Sequence, residues 1–325
     1  MAAKLEPETA PALNRHTAVG RAPRQPAEAR PPTETPRALG PFFWLATHAP
    51  SLARACAPIA VRLVPLVSRR VRLQTRRNSA LIFGRTLSVG EQRAYTRGVL
   101  RSFIDFVIDV GQSSHDTAAR LLERIECTEG EAGYRAARAT RRGAIMVTAH
   151  MGSFEVGLAA LRQVEPRVHV VYRRDASGPF ESMRARMRRR LGVIEAPIDD
   201  GLGTWMSLRD GLFNDDVVVV QADRAMPGQR SQRVPFLHGH IRIPTGAVRL
   251  ARMTGCPIIP VYTVRLSSGR FAVYMHAAIE PQVCAGATID PAVLAVAESL
   301  ESMVAKHPQQ WLVLGAAFEE DVEHA

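Results

Sequence analysis

From Ala144 onward, short β-branched runs alternate with helical stretches, and this order restricts the chain to an α/β architecture with a largely parallel central sheet flanked by helices. The runs are Ala144 to Ala149, Val168 to Tyr172, Asp216 to Gln221 and Ile258 to Val264. Helical patterns occupy Ser153 to Val164, Gly178 to Leu191, Gly201 to Phe213, Pro244 to Thr254 and Pro291 to His307. Phe271 to Ile279 alternates and is expected to pair as a hairpin with the run before it. Upstream, Ser88 and Glu91 form a capping-box signature that opens a helix reaching Gly111, and a further helical stretch is expected over Asp116 to Thr140. No internal repeat and no long linker follows residue 72, so one domain is expected over 73–318, ending in an acidic tail at 319–325.

The first forty residues carry seven prolines among Arg, Glu and Thr, which reads as a disordered tail over 1–40. They lack the apolar core of a secretory signal, and Glu6, Glu8, Glu28 and Glu34 are too acidic for a transit peptide. Residues 41–72 differ. On a helical wheel Leu52, Cys56, Ile59, Leu63, Leu66 and Val67 lie on one side, with Arg54, Arg62 and Arg69 on the other. Pro58 and Pro65 are expected to kink or split this segment into two short amphipathic helices. Its stretches between charges are too short for a spanning helix. The pattern suits a helix lying in lipid headgroups, and the same periodicity suits a helix packed on the protein core.

Charge narrows the choice of partners. With 42 Lys and Arg against 31 Asp and Glu, the formal charge is +11, which favours nucleic acid, an anionic membrane face or an acidic carrier protein. The arginines lack aromatic interleaving and no nucleic-acid module is present, so nucleic acid is not expected. Cys56, Cys127, Cys256 and Cys284 lack CxxC spacing and indicate neither a zinc cluster nor a disulfide framework. His238-Gly239-His240 has no second ligand cluster at suitable spacing and is read as loop. No cofactor is called for, and no Gly-x-Ser-x-Gly elbow or phosphate loop occurs.

The sharpest local feature is Thr148-Ala149-His150-Met151-Gly152-Ser153-Phe154-Glu155, at the junction of a strand and a helix. A histidine there stands at the sheet rim, where α/β proteins place ligands. Gly152 permits a tight turn, Ser153 can cap the helix, and Glu155 in the first turn can curl back to one imidazole nitrogen, leaving the other free to take a proton from an alcohol. The plainer alternative is a satisfied loop histidine with a glutamate at the positive end of a helix.

These residues begin an ordered series. Val170-Val171-Tyr172-Arg173 follows, then Asp223 to Gly228 with Val234-Pro235-Phe236. Pro244-Thr245-Gly246, Thr254-Gly255-Cys256-Pro257 and the closing His307-Pro308-Gln309-Gln310-Trp311 complete it. The series resembles the bacterial lipid A biosynthesis acyltransferases, distantly related to lysophospholipid acyltransferases, in order over roughly residues 41 to 315. The resemblance implies that His150 is the catalytic base and Glu155 its support, that Arg173 contacts phosphate or developing charge with Tyr172 beside it in the substrate site, and that Asp223 shapes the site, the plainer alternative being that it caps the loop after its strand. It implies an acyl donor on acyl carrier protein, coenzyme A being the alternative. The implied acceptor is a glycolipid such as a lipid A precursor; the alternatives are another lipid acceptor, a lysophospholipid or specialised lipid, or a membrane-bound relative that has kept the fold and lost catalysis, against which the intact His150 and Glu155 argue. It also implies work at an anionic membrane surface, the cytoplasmic face of the inner membrane. Pro244 and Gly246 are expected to open a helix whose free N–H groups suit an anion. Arg186 and Arg189, within the cluster Arg184 to Arg190, are expected to meet phosphorylated sugar, anionic lipid or carrier, or simply to face solvent. The chain departs from the family pattern at Ser153-Phe154, Arg174 and Arg224, and at Leu312 to Gly315, positions that flank the proposed pair.

Overall fold

A computed structural model describes residues 40–174, 178–226, 228–282, 287–315 and 317–318; the tails expected at the two ends lie outside the described residues, apart from Gly40. Valine-rich segments buried on both faces build its centre. In β2 (Ala144–Thr148), Ile145 and Val147 face one layer of helices while Ala144 and Met146 face the other, as a strand inside a parallel sheet must. Around it stand β3 (Val168–Tyr172), β4 (Ile194–Pro197), β5 (Val217–Gln221), β8 (Ile258–Arg265) and β9 (Phe271–Met275), with β1 (Ile125–Glu129) at one edge. The order is β1-β9-β8-β2-β5-β3-β4; β8, β2, β5, β3 and β4 run parallel, and β9 turns back antiparallel on β8. The expected sheet and hairpin are both present.

The crossover helices α7 (Phe154–Val164), α8 (Gly178–Leu191), α9 (Leu202–Phe213) and α10 (Gly246–Thr254), with the C-terminal α11 (Pro291–Lys306), stand within two residues of their expected bounds. Four stretches of the chain differ. The stretch 116–140 is two short helices, α5 (Ala118–Glu123) and α6 (Glu131–Ala139), separated by β1, which adds parallel to β9. β4 had no counterpart in the sequence reading. Nor had β6 (Ser231–Phe236) and β7 (Gly239–Pro244), a separate hairpin that puts His240 in a strand rather than a loop. The basic run after residue 68 is helical, the start of α3 (Arg69–Phe83).

The N-terminal region also breaks differently. α1 (Gly40–His48) ends before Pro50, which starts α2 (Pro50–Val67), and α2 continues through both Pro58 and Pro65. Pro58 is exposed on the outer side of the helix, so the hydrogen bond it removes lies toward solvent. α2 packs on α4 (Val89–Ser113), whose Ser88–Glu91 capping box is fully formed. The contact is made by small residues, Ala53, Ala57 and Val61, set against Leu100, Ile104, Val107 and Ile108. Leu52, Ile59, Leu63, Leu66 and Val67 face outward, exposed by 53–83%. The large apolar stripe therefore does not pack on the core. By length and composition α2 is also the one helix among the described residues that could cross a membrane, which differs from the sequence expectation.

Candidate active site

Adjacent parallel strands that end in register place equal offsets side by side. Thr148 of β2 lies opposite Gln221 of β5, and two residues beyond each come His150 and Asp223. The Ala222 N–H donates to the Thr148 carbonyl at 2.9 Å, carrying the pairing past the strand ends. His150 Nδ1 then lies 2.8 Å from Asp223 Oδ1, and Asp223 Oδ2 accepts from Trp311 Nε1 at 3.0 Å. The Asp223 side chain is fully buried. Burial pushes its pKa up, but the charge and hydrogen bond of His150, the nearby Arg224 and the Trp311 N–H together outweigh that and hold it at about 2. An ionised carboxylate can only accept, so Nδ1 carries a proton, and in the neutral imidazole Nε2 then presents a lone pair. Arg224 Nη2 donates to that nitrogen across 3.3 Å, and the His150 side chain keeps 28% of its surface open. A part-exposed imidazole with a buried anion behind it can remove a hydroxyl proton through Nε2 once the hydroxyl takes the place of the Arg224 N–H there.

The C-terminal strap fixes the turn that carries His150. Trp311 bridges to Met151, the Leu312 N–H donates to the His150 carbonyl at 2.7 Å, and the Gly152 N–H donates to the Gln310 carbonyl at 3.3 Å. The Gln310 amide in turn exchanges two 2.8 Å hydrogen bonds with the backbone of Arg265. Gly152 has φ +55°, and a Cβ there would overlap the Thr263 carbonyl oxygen, so this position admits glycine alone.

The acid selected from sequence spacing is not the imidazole's partner in the structure. Glu155 is fully buried in the first turn of α7, and neither carboxylate oxygen has a hydrogen-bond partner beyond its own backbone N–H. Burial raises its pKa to about 6, with Arg184 and Arg188 opposing. The physical reason is the helix itself: once α7 begins at Phe154, the side chain of its second residue is buried, while the end of β5 delivers Asp223 directly to Nδ1. Ser153 stands at the N-cap position without capping the helix, and its buried Oγ is unpartnered.

The other expected residues are dispersed. The Tyr172 hydroxyl donates to Glu195 at 2.6 Å, under the Arg188 guanidinium, which lies 3.8 Å from its ring centroid. Arg188 also binds Glu181 and Glu195 and is 1% exposed, so this part of the arginine cluster is core rather than surface. Arg173 is 3.4 Å from Asp199, and Arg174 grips Asp200 with two bonds. Arg186 and Arg189 are exposed on α8. Pro244 closes β7 rather than opening a helix. Gly246 begins α10 against Trp205, beside a cavity of about 400 Å³ whose lining includes Arg230 and Arg249. Another cavity, apolar and of about 150 Å³, is lined in part by Met146 and Thr148 of β2 and by Phe154 and Leu158 of α7, the elements on either side of the His150 turn.

Trp311 was legible only as part of a closing motif, and Arg224 only as a departure from a pattern. The signal that could have paired Asp223 with His150 is their equal offset from the ends of two β-rich runs. The sequence model of the bacterial lipid A biosynthesis acyltransferases matches residues 38–319. No curated protein matches the chain.

Proposed function

The chain belongs to the bacterial lipid A biosynthesis acyltransferase family, and on that premise we propose that it moves a fatty acyl group from a thioester donor to a hydroxyl of a glycolipid resembling a lipid A precursor. The observation that carries the reading is the His150–Asp223 pair, which leaves Nε2 as the available base. In the proposed reaction the acceptor hydroxyl attacks the thioester carbonyl as Nε2 takes its proton. Asp223 stabilises the imidazolium through Nδ1–H. Collapse of the tetrahedral intermediate breaks the C–S bond, and the imidazolium returns the proton to the departing sulfur. Arg224 is the cation closest to Nε2 and is assigned to the developing oxyanion. The donor chain is assigned to the apolar cavity beside Phe154, and the donor itself to acyl carrier protein, whose acidity the +11 charge suits. Glu155 enters as a positioning residue of the His-x4-Glu motif. The exposed apolar face of α2 supports action at a membrane surface, the cytoplasmic face of the inner membrane.

The test is transfer of label from radiolabelled acyl carrier protein into a panel of extracted bacterial lipids. His150→Ala is expected to lose about 10²–10⁴-fold, the usual worth of a general base. Label in no lipid, from folded protein, sinks the reading; label in a lysophospholipid instead keeps the chemistry and corrects the acceptor.

A further inference from the structure

We infer that the groove between α3 and α4 is a seat for phosphate headgroups of anionic lipids in a bilayer, completed by the body of the protein and not by its N-terminal helices alone. The groove encloses about 760 Å³ and is lined by Arg62 of α2, Arg69, Arg72 and Arg76 of α3, and Arg93 and Arg97 of α4. No acidic side chain lines it among the described residues. Arg72 is occupied with the carbonyls of Pro65 and Leu66. The other five are exposed and make no ion pair or side-chain hydrogen bond among the described residues. Several arginines elsewhere are neutralised closely: Arg138 by Glu165 and Asp215, Arg252 by Asp290, Arg124 and Arg265 by Asp109.

The arrangement is built. α3 presents Arg69, Arg72 and Arg76 three and four apart, and α4 presents Arg93 and Arg97 four apart, so each set lies on one helix face. A buried 2.9 Å hydrogen bond between Thr75 and Thr96 ties the two helices together beneath them. Five unneutralised guanidinium groups held in one groove repel one another, and an array of phosphates removes that repulsion through charge-assisted hydrogen bonds.

An acidic protein could supply the charge, but the surroundings favour a bilayer. Leu66 and Leu73 share the groove wall at 72% and 47% exposure. Leu63 and Val67 continue the apolar face along α2, and Trp44 of α1 is 61% exposed. A lipid surface takes apolar side chains into its acyl boundary and arginines onto its phosphates together, whereas a soluble acidic partner leaves the leucines in water. The inference deepens the membrane half of the proposed function.

The experiment uses the full chain and vesicles of phosphatidylcholine with or without phosphatidylglycerol, read by co-sedimentation without acyl donor. An arginine near an anionic surface is worth about fivefold in affinity. The double variant Arg93→Gln/Arg97→Gln is thus expected to bind phosphatidylglycerol vesicles about 25-fold more weakly, with phosphatidylcholine binding unchanged. Its control, Arg120→Gln/Arg135→Gln, removes the same charge elsewhere and is expected to change binding less than threefold. An equal loss in both variants overturns the groove in favour of diffuse charge. Unchanged vesicle binding with weakened affinity for acyl carrier protein overturns it in favour of the carrier. Vesicle binding is read apart from transfer, so a chain that binds as expected yet acylates nothing refutes the proposed reaction and leaves the groove standing.

Discussion

Two carboxylates near one histidine have opposite fates, and burial with or without a partner is the cause. Asp223 is buried with two donors and stays ionised; Glu155 is buried with none outside its own backbone and is held at about 6. Replacing the first should therefore be a catalytic lesion. Asp223→Asn is expected to cost about 10²–10⁴-fold in kcat/KM, because an amide can present N–H to Nδ1 and force the proton onto Nε2. Steady-state transfer measures it, and the same assay on Glu155→Gln, expected within about tenfold of the unaltered protein, separates the two acids. The reverse order of losses would make Glu155 the working partner. The second lesion is thermodynamic. The Glu155 carboxyl binds its proton more tightly folded, at about 6, than unfolded, at the ordinary carboxyl value of 4.5. Between those pH values the folded state holds more protons, so stability falls as pH rises through the window and stays lower above it. Glutamine does not titrate. Glu155→Gln is thus expected to gain about 2 kcal/mol relative to the unaltered protein on going from pH 4 to pH 7, read as the difference between paired urea unfolding curves. A difference independent of pH would show that Glu155 titrates normally.

At the scale of elements, legibility followed burial. β2, β3, β5 and β8 are buried on both faces and read as apolar runs; β1 has one partly buried residue and four exposed ones, so Ile125-Glu126-Cys127-Thr128-Glu129 carries no alternation to read. The β6–β7 hairpin turns through Leu237 at φ +52°, where no Asn-Gly or Asp-Gly announces a turn. α3 was hidden by its arginines. The wheel of α2 found the right stripe, but only packing could show that the alanines face inward and the leucines outward. The His150 turn was legible as a motif, yet its partner was not, because the β2–β5 adjacency that joins His150 to Asp223 spans 73 residues. That turn also depends on a residue which does no chemistry. Gly152→Ala places a methyl against the Thr263 carbonyl at a positive φ, so α7 or β8 must move. The expected result is a loss of more than about 2 kcal/mol by urea unfolding, together with loss of transfer. A stable, active alanine variant would mean that the turn relaxes without disturbing His150.

Across the whole molecule, charge and chemistry are separated. The ionic centre of the site is compensated, with Asp223 set against His150 and Arg224, whereas the α3–α4 groove gathers arginines with no acid in its lining among the described residues. Salt should therefore act on the two regions unequally. Screening shortens the reach of exposed charges from about 10 Å at 0.1 M to about 3 Å at 1 M, while a buried hydrogen-bonded pair is little affected. If the groove holds the protein on anionic lipid while His150 performs the transfer, added salt should raise the apparent KM for an acceptor presented in phosphatidylglycerol vesicles and leave kcat within about twofold. The same acceptor dispersed in neutral detergent micelles should show neither change, since no anionic surface is there to be screened. Arg93→Gln/Arg97→Gln should behave in low salt as the unaltered protein does in high salt. A fall in kcat with salt in micelles as well as vesicles would instead place the salt-sensitive charges at the reacting groups, with Arg224 the first to suspect because it is exposed and lies 3.3 Å from Nε2.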